Sequence, residues 1–491
     1  PHDFEEAAEA TGYGLFNYLL LMAMLPAGIT NFFDTTAMSY VLPSAECDLQ
    51  LTLSQKGMLN AAIYAGMISA AFIWGFLADT RGRRPLLMIG FFADFICNAF
   101  SSMSQSFEVM VFFKFLKPGF YLSGPFVISM AYLAEFHGTK HRSKTLLWVR
   151  LSPSLANILL PGLAWLIIPQ PWKLTLFDGA FAYNSWRIFI LICSVPPMLA
   201  FFVMLFLPES PRFLMSQGRN EEALRVFQRM YAMNTGNPPE TFPVMLIVFN
   251  VKELCQEGQR IQMKRSASRR SMSVWDKTRS GWAQIKPLFK KPYLYQFLLI
   301  TTIQFGSLLS LNTLRLWVPQ LFTLIENFDY ENRDPSLGTP TLCDMISPSI
   351  SPNATIIENF NSTLINTCVE MFQVPVRSKV YINSMIIAVT SVIGYTIAGS
   401  AINLVGSKKL LPIIAIYMAF TGVTVTVILN FIVELMPTSL RTTAASLAMG
   451  TGRSGAMIGN LLFPILLTTG CMIPFIFVGG FLVGEYPFVE K

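Results

Sequence analysis

Gly75-Phe-Leu-Ala-Asp79-Thr-Arg-Gly82-Arg-Arg84-Pro-Leu-Leu returns 324 residues later, loosened, as Gly399-Ser-Ala-Ile-Asn403-Leu-Val-Gly406-Ser-Lys408-Lys-Leu-Leu. A small residue, a polar residue, a glycine and a basic residue fall at the same offsets in both. Each copy closes an apolar run of about 20 residues or more, the length that crosses a bilayer as a helix. A second pair keeps the same spacing: Glu135 lies seven residues before Arg142, and Glu434 seven before Arg441. The chain therefore reads as two copies of one helical bundle, arranged in parallel.

Composition agrees. Of 491 residues, 53% are apolar and 13% are charged, with 41 Phe and 25 Met. Soluble domains carry about 25% charged residues, so an ordinary cytosolic enzyme is excluded, as is a disordered chain poor in apolar residues. A transmembrane barrel would show alternating segments of about 10 residues instead. Apolar stretches fall near 14–43, 54–78, 85–104, 109–134, 145–168, 186–207, 293–325, 379–404, 410–433, 443–468 and 471–486. That is 11 spans of an all-α, polytopic membrane protein.

Basic residues in short loops set the orientation. Arg81, Arg83 and Arg84, then Lys140, Arg142 and Lys144, then Lys408 and Lys409 follow even-numbered spans and face the cytoplasm. The segment 208–292 follows span 6, and its excess of Lys and Arg accounts for the net charge of +7. A basic loop beside anionic lipid explains that charge without nucleic acid. The loop 326–378 holds both Asn-x-Ser/Thr sequons, at Asn353 and Asn361. Glycans are attached on the lumenal side, which is where the charge rule puts this loop. Cys343 and Cys368 in it are expected to pair in that oxidising compartment. Cys97, Cys193 and Cys255 read as buried or cytosolic thiols, and Cys47 and Cys471 are left open. The organisation expected is a six-helix half over 1–207, a basic cytoplasmic loop over 208–292 and a second half over 293–491.

The first repeat resembles the signature loop of the major facilitator superfamily, Gly-x-Leu-x-Asp-x-x-Gly-Arg-Arg/Lys, in its expected place after the second helix. Further residues resemble the branch holding sugar porters, organic ion transporters and synaptic vesicle glycoprotein 2. Pro208-Glu209-Ser210-Pro211-Arg212-Phe213 follows span 6 as that branch's Pro-Glu-Ser-Pro-Arg motif does. Val41-Leu-Pro-Ser-Ala-Glu46, Trp186-Arg187 and Thr302-Ile-Gln304-Phe-Gly306 are most similar to the vesicle glycoproteins and their invertebrate relatives, as is the long glycosylated loop after span 7. The resemblance implies a two-bundle major facilitator fold with 12 helices. The repeats here disagree in offset, 324 residues for Gly75 to Gly399 against 299 for Glu135 to Glu434. The second half is thus short by almost one helix. With a single crossing after Lys409, Glu434 and Arg441 emerge outside. Keeping them inside requires a crossing by about ten extended residues, and bare backbone is not tolerated in lipid. A segment lost from the gene model or transcript accounts for the shortfall, and so does a divergent paralogue.

Ionisable residues within spans usually face a cavity or a partner. Asp34 is either a cation or proton site or an interhelical hydrogen-bond partner. The resemblance implies an acid at its position and a basic residue at that of Lys114, and a pair between them across a central cavity is expected. Snorkelling of Lys114 or Lys117 to an interface is the alternative, and Arg150, Arg315 and Arg453 are further candidates, each close enough to a span end to snorkel. Asp94 reads as a structural pair. By resemblance Trp148 lines the central pocket, and Trp317 and Tyr395 add aromatic surface for an organic ligand. Gly75 and Gly82 permit a tight turn. Glu135, Arg142, Glu209 and Arg212 join Asp79, Arg83 and Arg84 in a cytoplasmic charge network that acts as a gate. Ser268 and Ser273, each three residues after a basic residue, suit basophilic kinases.

No nucleotide-binding loop, metal-ligand cluster or catalytic constellation occurs, and the three His are terminal or in a loop. No enzyme activity, cofactor or metal is expected. The partners expected are the lipid bilayer and a small organic solute, with no nucleic acid. The function expected is secondary transport by alternating access at the plasma membrane or an intracellular vesicle. The alternative is a binding or trafficking protein that keeps the fold without transport.

Overall fold

The computed structural model describes residues 2–120, 125–176, 181–243, 286–291, 293–326, 343, 380–386, 388–389 and 441–484. The first half runs α1 (His2–Ala10), α2 (Leu15–Ala45), α3 (Leu53–Arg81), α4 (Arg83–Ser102), α5 (Phe107–Phe120), α6 (Pro125–Ala134) and α7 (Thr139–Ile167). An antiparallel hairpin, β1 (Lys173–Leu176) with β2 (Phe181–Asn184), precedes α8 (Ser185–Ile192) and α9 (Val195–Phe206). The sequence reading treats this hairpin as plain loop. On the cytoplasmic side lie α10 (Pro211–Ser216) and α11 (Asn220–Thr235). The second half contributes α12 (Tyr293–Glu326), α13 (Arg441–Thr469) and α14 (Ile473–Gly484).

The helix ends follow from local chemistry. The Thr52 hydroxyl accepts the Gln55 N–H at 3.3 Å, and Gln55 Oε1 accepts the Thr52 N–H at 2.9 Å. This reciprocal cap opens α3. Gly82 alone separates α3 from α4, with φ of 92°, a conformation that costs side-chain-bearing residues and not glycine. The signature loop is therefore a one-residue reversal between two long helices.

The expected all-α fold is the one observed, and α2 to α9 and α12 to α14 fall on predicted spans. Most of span 8, near 379–404, and all of span 9, near 410–433, lie outside the described residues. Among the described residues, Leu15–Ala45, Arg83–Ser102, Ser185–Phe206 and Tyr293–Glu326 are long and apolar enough to cross a membrane. Met22, Phe112, Phe206 and Ile476 are exposed, as lipid-facing side chains are.

α12 and α13 pack in parallel. A Cβ added to Gly452 would meet Gln304 and Leu308, one on Gly455 the Phe305 carbonyl, and one on Gly459 Leu309 and Thr313. Trp317 then stacks on Phe463 at 5.1 Å. This small-residue stripe lets the helices approach closely. It also puts Arg441 at the face of Tyr293 and Thr469 at the face of Glu326.

The disulfide differs from expectation. Cys343 is bonded to Cys471, not to Cys368, which lies outside the described residues. Cys471 sits in the turn after α13 and so emerges at the outer face, 128 residues from its partner. Proximity in sequence favours Cys368, and only the parallel packing brings Cys471 to Cys343. Cys47, left open by the sequence, is also disulfide-bonded.

Candidate functional site

Three groups of polar residues sit at three depths. The cytoplasmic group is built on Glu209. Its carboxylate accepts the backbone N–H groups of Arg83 at 3.2 Å, Arg84 at 3.2 and 3.3 Å, and Ser210 at 2.9 Å. It thus caps α4, where the positive end of the helix dipole favours an anion. The Ser210 hydroxyl accepts the Phe213 N–H at 3.2 Å and donates to Glu135 Oε2 at 2.5 Å. Arg83 reaches Glu135 at 3.4 Å and lies 5.2 Å from the Phe213 ring centroid. Arg84 turns the other way and donates to the Met204 and Leu205 carbonyls that end α9. The signature loop and the Pro-Glu-Ser-Pro-Arg segment are therefore one interlocked unit.

Arg142 pairs with Glu5 at 2.8 Å and donates to the Ala134 and His137 carbonyls. Arg212 lies 5.7 Å from the Phe4 ring. Both expected gate residues thus hold α1, which the sequence reading did not foresee. His137 is buried beside them, with Nδ1 2.8 Å from the Leu133 carbonyl. Burial holds its imidazole below the usual histidine range. A cavity of about 440 Å³ lies on this face, lined by Arg81, Arg84, Glu209, Arg219 and Arg225 among others. Gly75 and Asp79 lie on α3, and the Asp79 side chain is outside the described residues.

The second group lies inside the first half. Asp34 of α2 forms its ion pair with Lys117 of α5. Lys117 also donates to Asn98 of α4 at 3.1 Å, and Asp94 of α4 interacts electrostatically with both members of the pair. Asp34, Asp94, Lys114 and Lys117 are all buried. The expected partner Lys114 is in the cluster but not in the pair. Lys114 and Lys117 are one turn apart on one face of α5, and the packing of α5 against α2 and α4 gives Lys117 the contact. The signal was present in the spacing: Asp94 and Asn98 share a face of α4, as the two lysines share one of α5.

The third group joins the halves near the outer face. Glu46 pairs with Lys56 at 2.6 Å and accepts from Gln320 of α12 at 3.3 Å. Tyr40 of α2 stacks on Tyr381 at 6.4 Å. A Cβ on Gly57 of α3 would meet the Asn460 carbonyl and Pro464 of α13. Arg315 of α12 lies 5.6 Å from the Phe32 ring of α2. Beside this group, buried Arg187 pairs with Asp48, donates to the Ser104 carbonyl and lies 4.1 Å from the Trp186 ring. Trp317 packs in the α12–α13 seam and is 1% exposed. The side chain of Trp148, and Tyr395, Asn353, Asn361, Ser268 and Ser273, lie outside the described residues.

Residues 19–310 match the sugar (and other) transporter family. The chain is 28% identical to human synaptic vesicle glycoprotein 2A over 341 residues, covering 67% of this chain and 45% of that protein. It is 27% identical to human synaptic vesicle glycoprotein 2B over 348 residues, covering 68% and 49%. The chain spans about half the length of these curated relatives. Among solved structures, the inward open conformation of the xylose transporter XylE from E. coli superposes with a TM-score of 0.61 at 15% identity, covering 97% of this chain and 96% of that one. A D-xylose-proton symporter gives a TM-score of 0.60 at 14% identity, covering 96% and 97%. The chain belongs to the sugar (and other) transporter family of the major facilitator superfamily, and is a multi-pass integral membrane protein with a transporter fold rather than an enzyme.

Proposed function

We propose that this protein is a secondary transporter of small organic solutes that works by alternating access in the plasma membrane or a vesicle membrane. The observation that carries the reading is the distribution of contacts between the halves. Glu46–Gln320, Tyr40–Tyr381 and Gly57–Asn460 all lie toward the outer face. At the cytoplasmic face, among the described residues, Glu209, Arg83, Glu135 and Arg142 are bonded to elements of the first half. A first half joined to the second outside and braced on its own elements inside can rock about the midplane, as parallel-repeat transporters do.

A second reading is favoured by the similarity to synaptic vesicle glycoproteins 2A and 2B and by the closed Asp34–Lys117 pair. It is a vesicle or plasma-membrane binding or trafficking protein that keeps the fold without transport. Purified full-length protein in proteoliposomes, assayed for uptake of a panel of sugars, amines and carboxylates, separates the two. Saturable flux of any panel member supports transport. Ligand-induced thermal stabilisation without flux supports the second reading and counts against the first.

A further inference from the structure

Arg315 is a guanidinium between the two halves that has no acid paired with it among the described residues. Its Nη2 donates to Asn312 Oδ1 at 2.7 Å, one turn back on α12, and its carbon lies 5.6 Å from the Phe32 ring across the interface. It is in no ion pair among the described residues, and its Nε is buried without an acceptor. Tyr40 and Tyr64, from α2 and α3 of the first half, interact electrostatically with it. The Tyr64 hydroxyl is buried beside the guanidinium and interacts with it. Arg315 Nε is left without an acceptor, with the Tyr64 hydroxyl of another element next to it.

The neighbouring acid does not serve. Asp34 is two residues from Phe32, so it leaves α2 on roughly the opposite face. It pairs with Lys117 inside the first half. An unpaired cation within a membrane span is costly, and a buried donor left without an acceptor adds to the cost. Both costs fall when an anion arrives. A guanidinium presents a planar fork that matches a carboxylate in two parallel hydrogen bonds. Phe32 and Tyr40 present ring surface beside it, suited to an apolar body.

We propose that the solute is a small organic carboxylate, its acid group held by Arg315 and the Tyr64 hydroxyl and its apolar body lying against Phe32 and Tyr40. The choice of carboxylate rests on the transporter reading only for the word solute; the binding site stands without it.

The test uses the full chain in detergent and in proteoliposomes. Benzoate, phenylacetate and hexanoate are compared with their neutral amides and with benzylamine. We expect the carboxylates to raise the melting temperature while the amides and benzylamine do not. Arg315→Gln is expected to weaken carboxylate binding at least tenfold, and Arg315→Lys to retain part of it. Tyr64→Phe, which keeps the packing, is expected to weaken it several-fold and serves if the arginine variants do not fold. Stabilisation by none of the carboxylates, or equal stabilisation by acid and amide, overturns the proposal, as does carboxylate binding unchanged in Arg315→Gln and Tyr64→Phe. Carboxylate binding that depends on Arg315 but gives no flux overturns transport and leaves the site standing. Flux of a sugar or amine indifferent to Arg315→Gln overturns the site and leaves transport standing.

Discussion

Asp34 and Lys117 face each other inside the first bundle, and neither tolerates the loss of the other. Removing one member of a buried pair typically costs about 3–5 kcal/mol, because the remaining charge stays desolvated. Lys117→Met leaves both Asp34 and Asp94 without their nearest cation, so we expect a loss of that size in thermal denaturation of the detergent-solubilised protein. Lys114→Met leaves the pair intact and is expected to cost markedly less. Equal losses for the two would contradict the pairing seen here. The charges themselves were legible in the sequence, as ionisable residues within apolar runs. The choice between Lys114 and Lys117 was not, because both lie on one face of α5 and only its packing against α2 and α4 selects the partner. Glu209 shows the reverse case. Its motif was legible, but its capping of α4, 125 residues away in sequence, was not. Glu209→Ala removes that cap, and we expect a loss of about 1–2 kcal/mol with faster amide exchange at Arg83 and Arg84.

At the scale of elements, the cytoplasmic helices are held by a small number of side chains. Asn234 near the end of α11 donates to the Thr11 and Gly12 carbonyls and to Asn17 Oδ1, and its own Oδ1 accepts the Phe16 N–H at 3.0 Å. One side chain thus ties α11 to the joint between α1 and α2. We expect Asn234→Ala to raise hydrogen exchange across 11–18 and 228–236 while the spans stay protected. Unchanged exchange there would show that apolar packing alone holds α11 against α1 and α2. The turn between α6 and α7 adds a pH dependence. His137 is held below its ordinary value of 6.5 by burial, so the folded protein binds its proton less readily than the unfolded chain. Its contribution is intact above about pH 6.5 and falls as the pH drops below that, until the folded imidazole is itself protonated. Melting temperature measured from pH 7.5 to 5 is expected to fall less steeply in His137→Gln than in the wild type. None of this was visible beforehand. A nine-residue helix with mixed charge carries no sign of where it docks, and Asn234 lies in no motif.

For the whole molecule, the parallel course of α12 and α13 decides which residues share a side of the membrane. The repeat was read from Gly75 and Gly399, and the second half was expected to be one helix short, but the sequence left Arg441 with two possible sides. Gly452, Gly455 and Gly459 climb α12 from Gln304 to Thr313 in the same direction as the chain. The Cys343–Cys471 bond then joins the loop after α12 to the turn after α13. Both observations put Arg441 on the side of Tyr293, with Arg83, Arg84 and Glu209. Glu326 and Arg441 therefore lie on opposite faces, which two single crossings cannot join. Cysteine accessibility tests this directly. In intact cells we expect an impermeant maleimide to label Met472→Cys, beside the disulfide, and to label Arg441→Cys only after permeabilisation. Labelling of Arg441→Cys from outside would mean that α13 runs against α12, and the arrangement of the second half described here would have to be abandoned.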